Sequence, residues 1–149
     1  MNIPTTYIEW IKCFEYVKDH PRNEMYIDIL NKGILDYDEN LISKLANELS
    51  SVITYRLSGA LNTFTESLKG TIEYNSLSLE IISLRKEFNY AFQLGNIKVF
   101  PDNVKEGLID LIKKNADNMQ KALEENTKMS DRSGTINSMI KNNPINVFK

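Results

Sequence analysis

From Asp38 to Lys69 the chain runs for about thirty residues without a proline, and its apolar residues recur at helical spacing: Ile42, Leu45, Leu49, Val52, Ile53, Leu57, Ala60, Leu61, Phe64 and Leu68. A stretch of that length reads as one long amphipathic helix, or two joined end to end. Such a helix must bury its stripe against other helices. This excludes a sheet-based core for the centre of the chain and predicts an all-α fold, a bundle of about five helices. Within the run, Ile42, Ile53 and Phe64 are eleven residues apart, as are Leu49 and Ala60, and Leu57 and Leu68. An eleven-residue period corresponds to about 3.67 residues per turn, so the stripe stays nearly straight instead of winding as a left-handed heptad coil. Ser58-Gly59 lies mid-run and is a place for a kink or a close helix crossing.

The remaining helices follow from punctuation and periodicity. Thr6-Tyr-Ile-Glu9 has capping-box spacing. It opens a helix to about Lys18 with Tyr7, Trp10, Ile11, Phe14 and Val17 on its apolar side, stopped by His20-Pro21. A short helix over about Asn23 to Lys32 turns Met25, Tyr26, Ile29 and Leu30 inward, with Gly33 at C′. Asp38 caps the long helix, and Gly70 to Ser76 is the expected break after it. A fourth helix spans about Ser76 to Leu94, with Leu77, Ile81, Leu84, Phe88, Ala91 and Phe92 inward. Ile97, Val99 and Phe100 in the next connector are too apolar for full solvation and are expected to cover an open end of the bundle. The fifth helix begins near Asp102 and reaches about Lys128, with Val104, Leu108, Leu111, Ile112, Ala116, Met119, Ala122 and Leu123 as its stripe. This division gives a bundle domain over 1–128 and a polar and apolar tail over 129–149 that holds a short helix-like stretch.

Length and composition suit one globular domain. At 149 residues, 42% hydrophobic and 26% charged, the chain can build a core of its own. Eighteen basic against twenty acidic residues, interspersed in sign, leave a net charge of −2. A general binder of nucleic acid or of an anionic membrane carries a positive bias. No run approaches the eighteen apolar residues of a membrane span, and the N-terminus lacks a signal-peptide pattern. Cys13 is the only cysteine, which fits a reducing, cytoplasmic setting.

Catalytic signatures are not found. His20 is the single histidine and has no Glu-x-x-His or His-x3-His partner spacing, so it reads as a surface or capping residue, and Cys13 as a small packing residue. Asp36-Tyr-Asp38-Glu-Asn40 resembles the opening of an EF-hand loop, but Leu41 stands where the glycine is required and Asn47 where the last glutamate is required. Glu66, Glu73, Glu80 and Glu87 recur every seven residues and read as a solvated face. Arg56, near the apolar stripe between Val52 and Ala60, reads as a partly buried arginine paired with a carboxylate from the fourth helix, or as one that snorkels outward. Phosphate-loop, dinucleotide and Gly-x-Ser-x-Gly fingerprints are absent.

The function expected of such a chain is that of a non-catalytic helical interaction protein, a regulator, immunity-type or accessory factor that occupies a partner's surface without a cofactor. Ile136, Met139, Ile140, Val147 and Phe148 in the tail are the candidate contact residues. They would dock on a partner protein, on the chain's own bundle, or on a second copy to give a homodimer. The alternative is nucleic-acid-linked regulation through the only adjacent basic pairs, Arg85-Lys86 and Lys113-Lys114, which requires the two pairs to share a face. An enzyme would require a deep polar pocket joining Arg56, a tyrosine such as Tyr55 or Tyr90, and a carboxylate such as Glu80 or Glu87.

Overall fold

A computed structural model of the chain describes residues 1–67, 74–130 and 141–142. Among them the fold is all-helical, with α1 (Tyr7–Asp19), α2 (Glu24–Asn31), α3 (Glu39–Ser67), α4 (Tyr74–Gly95) and α5 (Asp102–Ser130). The long helix α3 is the axis of the bundle. It packs against α1, α4 and α5, and α4 packs against α5. Its continuity through Ser58-Gly59 follows from the unbroken stripe: Ile42, Leu45, Leu49, Val52, Ile53, Leu57 and Phe64 are all buried. Gly59 does not mark a close crossing, since a Cβ there would meet nothing. Leu68 and most of the expected break at 70–76 lie outside the described residues.

Local capping sets the helix starts. Thr6 Oγ1 accepts from the Glu9 amide (3.3 Å), the first half of the capping box. The Glu9 carboxylate returns not to the Thr6 amide but to the Thr5 amide (3.3 Å) and the hydroxyls of Thr5 (2.8 Å) and Thr6 (3.1 Å). Asn23 Oδ1 caps α2 through the Met25 amide (2.9 Å). Asp38 Oδ1 accepts from the amides of Asn40 (2.9 Å) and Leu41 (3.2 Å), which gives the acidic 36–40 stretch a helix-capping role.

One end of the core closes on Trp10. Its ring is fully buried, and its Nε1 donates to the Ile34 carbonyl (3.0 Å). The Ile34 amide donates to the Pro4 carbonyl (3.1 Å), so the segment before α1 and the segment after α2 run beside each other over the indole. Gly33 stands at C′ as expected, for a different reason than helix termination. A Cβ there would lie 2.5 Å from Trp10 Cζ2 and 2.9 Å from Pro4 Cγ, so only glycine lets the backbone approach the ring.

Two apolar assignments are corrected. In α2, Met25 is 57% exposed and Ile27 is buried in its place beside Leu30. The half-buried Tyr26 meets the Tyr16 ring edge-on (centroids 5.3 Å apart), and this rotation of the two-turn helix directs Ile27 inward and Met25 outward. In α5, Ala122 is exposed, while Leu108, Ile112, Ala116, Met119 and Leu123 form the buried stripe. Stepping by four and three residues, that stripe leaves Ala122 about 100° off its line. In the connector after α4, Ile97 and Phe100 are buried, and Val99 packs at the edge of the core.

Candidate functional site at the junction of three helices

Arg56 is the centre of a buried polar cluster that joins three helices. The apolar stripe of α3 places it on the edge that faces the end of α1 and the middle of α4. Its side chain is nine-tenths buried. Nη1 donates to the carbonyls of Val17 (2.7 Å) and His20 (2.6 Å), two carbonyls at the C-terminal end of α1. The last carbonyls of a helix lack partners within it and carry the negative end of its dipole, so a guanidinium is well suited to them. Nη2 faces the Glu87 carboxylate at 3.3 and 3.4 Å, and the guanidinium carbon lies 5.0 Å from the Tyr90 ring centroid. Glu87 also accepts from Arg22 Nη1 at 2.8 Å. One carboxylate of α4 thus ties α3 to the segment between α1 and α2. Glu87 is therefore not part of a solvated row; Glu80 is half-buried, Glu66 is exposed, and Glu73 lies outside the described residues.

His20 is the C-cap of α1 and is half-buried. Its ring stacks on Tyr16 at 3.6 Å, and Nδ1 lies 2.6 Å from the Tyr16 carbonyl. A carbonyl only accepts, so the ring carries a proton on Nδ1. Cys13 is buried, and burial raises its thiol pKa, which keeps it protonated and unreactive. No group of three or more metal-ligating side chains occurs among the described residues, and none of their helices is long and apolar enough to cross a membrane.

The arginine, tyrosine and carboxylate that an active site would need do meet here, as Arg56, Tyr90 and Glu87. They do not meet as free reagents. Both terminal nitrogens of Arg56 are engaged by the protein's own carbonyls and carboxylate, and Glu87 is held by two arginines. Beside them lies an open cleft of about 530 Å³ whose rim includes Lys18, Tyr55, Asn62 and Thr63. Lys18 holds its ammonium 4.5 Å from the Tyr55 ring centroid across that rim.

Among the described residues, three buried polar atoms have no geometrically aligned hydrogen-bond partner: Arg56 Nε, the Tyr90 hydroxyl and Gln93 Oε1. Tyr90 lines a second cleft, of about 310 Å³, between the start of α2 and the middle of α4. Periodicity could not reveal this group. Tyr90 and Gln93 fall beside the α4 stripe, and what faces them comes from a segment more than sixty residues earlier, as in the Gln93 Nε2 to Glu24 Oε2 bond (3.1 Å).

Of the basic pairs, Lys86 is exposed and lines this second cleft, and Arg85 is half-buried beside it in sequence. Lys113 and Lys114, on α5, do not line it. The tail residues Ile136, Met139, Ile140, Val147 and Phe148 lie outside the described residues. No family model, no curated protein and no solved structure matches the chain.

Proposed function

We propose that the protein is a non-catalytic helical interaction module, a regulator, immunity-type or accessory factor that acts by covering a partner's surface within the cytoplasm. The observation that supports this reading is where its large apolar side chains are exposed. Among the described residues, five of the eight exposed large apolar side chains, Ile3, Ile8, Met25, Ile34 and Tyr37, lie in the first thirty-seven residues; the other three, Tyr55, Leu79 and Ile82, are on α3 and α4. A single exposed apolar side chain is ordinary on a protein surface. Here Ile3 and Ile34 sit on two neighbouring segments joined by the bond from the Ile34 amide to the Pro4 carbonyl. A rigid surface that bears apolar groups is what a partner covers. The internal engagement of Arg56 and Glu87 favours the same reading, since it gives the polar cluster a role in holding helices together.

The tail residues are the second contact element in this proposal. The test uses three full-length forms: the natural chain, Ile34→Asp combined with Tyr37→Asp, and Met139→Asp combined with Ile140→Asp. Each would be used to capture proteins from a cell extract, and every captured protein would be purified and its affinity measured. A partner that binds the natural chain directly and loses at least tenfold in affinity with either variant supports the reading. Direct binding unaffected by both variants would refute these contact surfaces. Light scattering behind size exclusion reports on self-association. A dimer of the natural chain that the tail variant converts to a monomer makes the partner a second copy.

A further inference from the structure

We propose that the cleft between the start of α2 and the middle of α4 is a binding site for a compact oxyanion, a phosphate or carboxylate group, held by Lys86, Arg22, Asn89 and the Tyr90 hydroxyl. This inference does not depend on the interaction reading above.

The cleft, of about 310 Å³, has room for a group of that size and is lined by Arg22, Asn23, Glu24, Lys86, Asn89 and Tyr90. Three arguments converge on an anion. The first is charge. Glu87 is neutralised within the protein, lying 2.8 Å from Arg22 and 3.3 Å from Arg56. Glu24, also on the wall of the cleft, accepts from the Gln93 amide at 3.1 Å. On the wall of the cleft the cations Arg22 and Lys86 outnumber the one carboxylate, Glu24, and Lys86 has neither an ion pair nor a hydrogen bond to the described residues.

The second argument is the unsatisfied hydroxyl. Tyr90 is only 3% exposed and lines the cleft; the Asn23 amide faces its phenol oxygen, and its hydroxyl proton has no acceptor among the described residues. A buried hydroxyl left without an acceptor is unfavourable, and a ligand oxygen offers it one. Burial raises the Tyr90 pKa, so the phenol stays protonated and able to donate. The third argument is backbone direction. Asn23 caps α2 from the wall of this cleft, so the positive end of the helix opens onto it. Asn89 adds an amide with no partner among the described residues.

The inference is tested on the full chain, labelled with nitrogen-15, by titration with sodium phosphate, sodium acetate and, at matched ionic strength, sodium chloride. The expected result is a saturable shift of the Asn23 and Glu24 amides with phosphate or acetate and none with chloride. Saturation by acetate as well as phosphate assigns a carboxylate-accepting site; saturation by phosphate alone assigns a phosphate site. Lys86→Ala, a change at an exposed position, should weaken binding about tenfold, the loss of one charged hydrogen bond. Tyr90→Phe, which keeps the ring over Arg56, should weaken it several-fold. Linear shifts that follow ionic strength alone, or an affinity unchanged within twofold by Lys86→Ala, would overturn the proposal.

Discussion

The two ends of α1 are anchored by opposite chemistry. Near its start, Trp10 is held by apolar contact and one neutral hydrogen bond to the Ile34 carbonyl, under a glycine that leaves no space for a side chain. At its finish, Val17 and His20 present carbonyls to a guanidinium, itself balanced by a carboxylate from α4 and a second arginine. The first anchor depends on shape and would be nearly indifferent to salt. The second depends on charge in a partly dry environment, where each member is tolerable only because the others are present. An apolar anchor can be built from neighbouring segments alone. A charged one needs several elements to arrive together.

The largest expected effect breaks the apolar anchor. Trp10→Ala removes a fully buried indole and should cost about 3–5 kcal/mol in chemical denaturation. A loss below about 1 kcal/mol would show that the Pro4–Gly33 corner collapses onto the gap. Next, Arg56→Ala should cost about 2–4 kcal/mol, because two helix-end carbonyls lose a charged donor while Glu87 keeps Arg22. If Arg56→Ala melts like the natural chain, the junction is held by packing alone and the contrast fails.

Thr6→Ala should cost about 1 kcal/mol through the lost N-cap. The same corner has a pH signature. Hydrogen bonds from the Thr5 hydroxyl, the Thr6 hydroxyl and the Thr5 amide lower the Glu9 pKa. A carboxylate depressed in the folded state stabilises it above the ordinary carboxylate range, and that contribution disappears as pH falls through the folded value. Side-chain carbon NMR should place the Glu9 midpoint below that of a free glutamate, and Thr5→Ala should raise it. The smallest effect is expected of Arg22→Ala. Arg22 is one-third exposed, so its pair with Glu87 is screened and its loss should cost below about 1 kcal/mol. A double-mutant cycle of Arg22 with Arg56 sharpens the comparison by measuring how far the two arginines share one carboxylate.

The helices were legible because they depend on local signals. The stripe of α3 has a period that only a helix satisfies, and Thr6, Asn23 and Asp38 each satisfy backbone amides within three residues of themselves. Periodicity left two readings for Arg56, pairing with a carboxylate of the fourth helix or snorkelling outward, and the tertiary structure has the pairing, with Glu87. The further role of Arg56 on the end of α1 was not readable, since Val17 and His20 are 39 and 36 residues away. The inward face of α2 was misjudged at Met25 because eight residues carry too few turns to define a stripe, and contact with Tyr16 fixes the rotation.

By itself, then, the sequence determined that this chain is helical, where α1, α2, α3 and α5 start, and which stripe of α3 is buried. These follow from capping bonds and from periodicity, which operate over a few residues. Tertiary structure alone decided that Gly33 makes way for an indole, that Glu87 serves two arginines, and that Tyr90 and Lys86 meet the start of α2 at one cleft. Each of those results requires side chains tens of residues apart to share a few ångströms. Only the packing of α1, α4 and α5 around α3 brings them there.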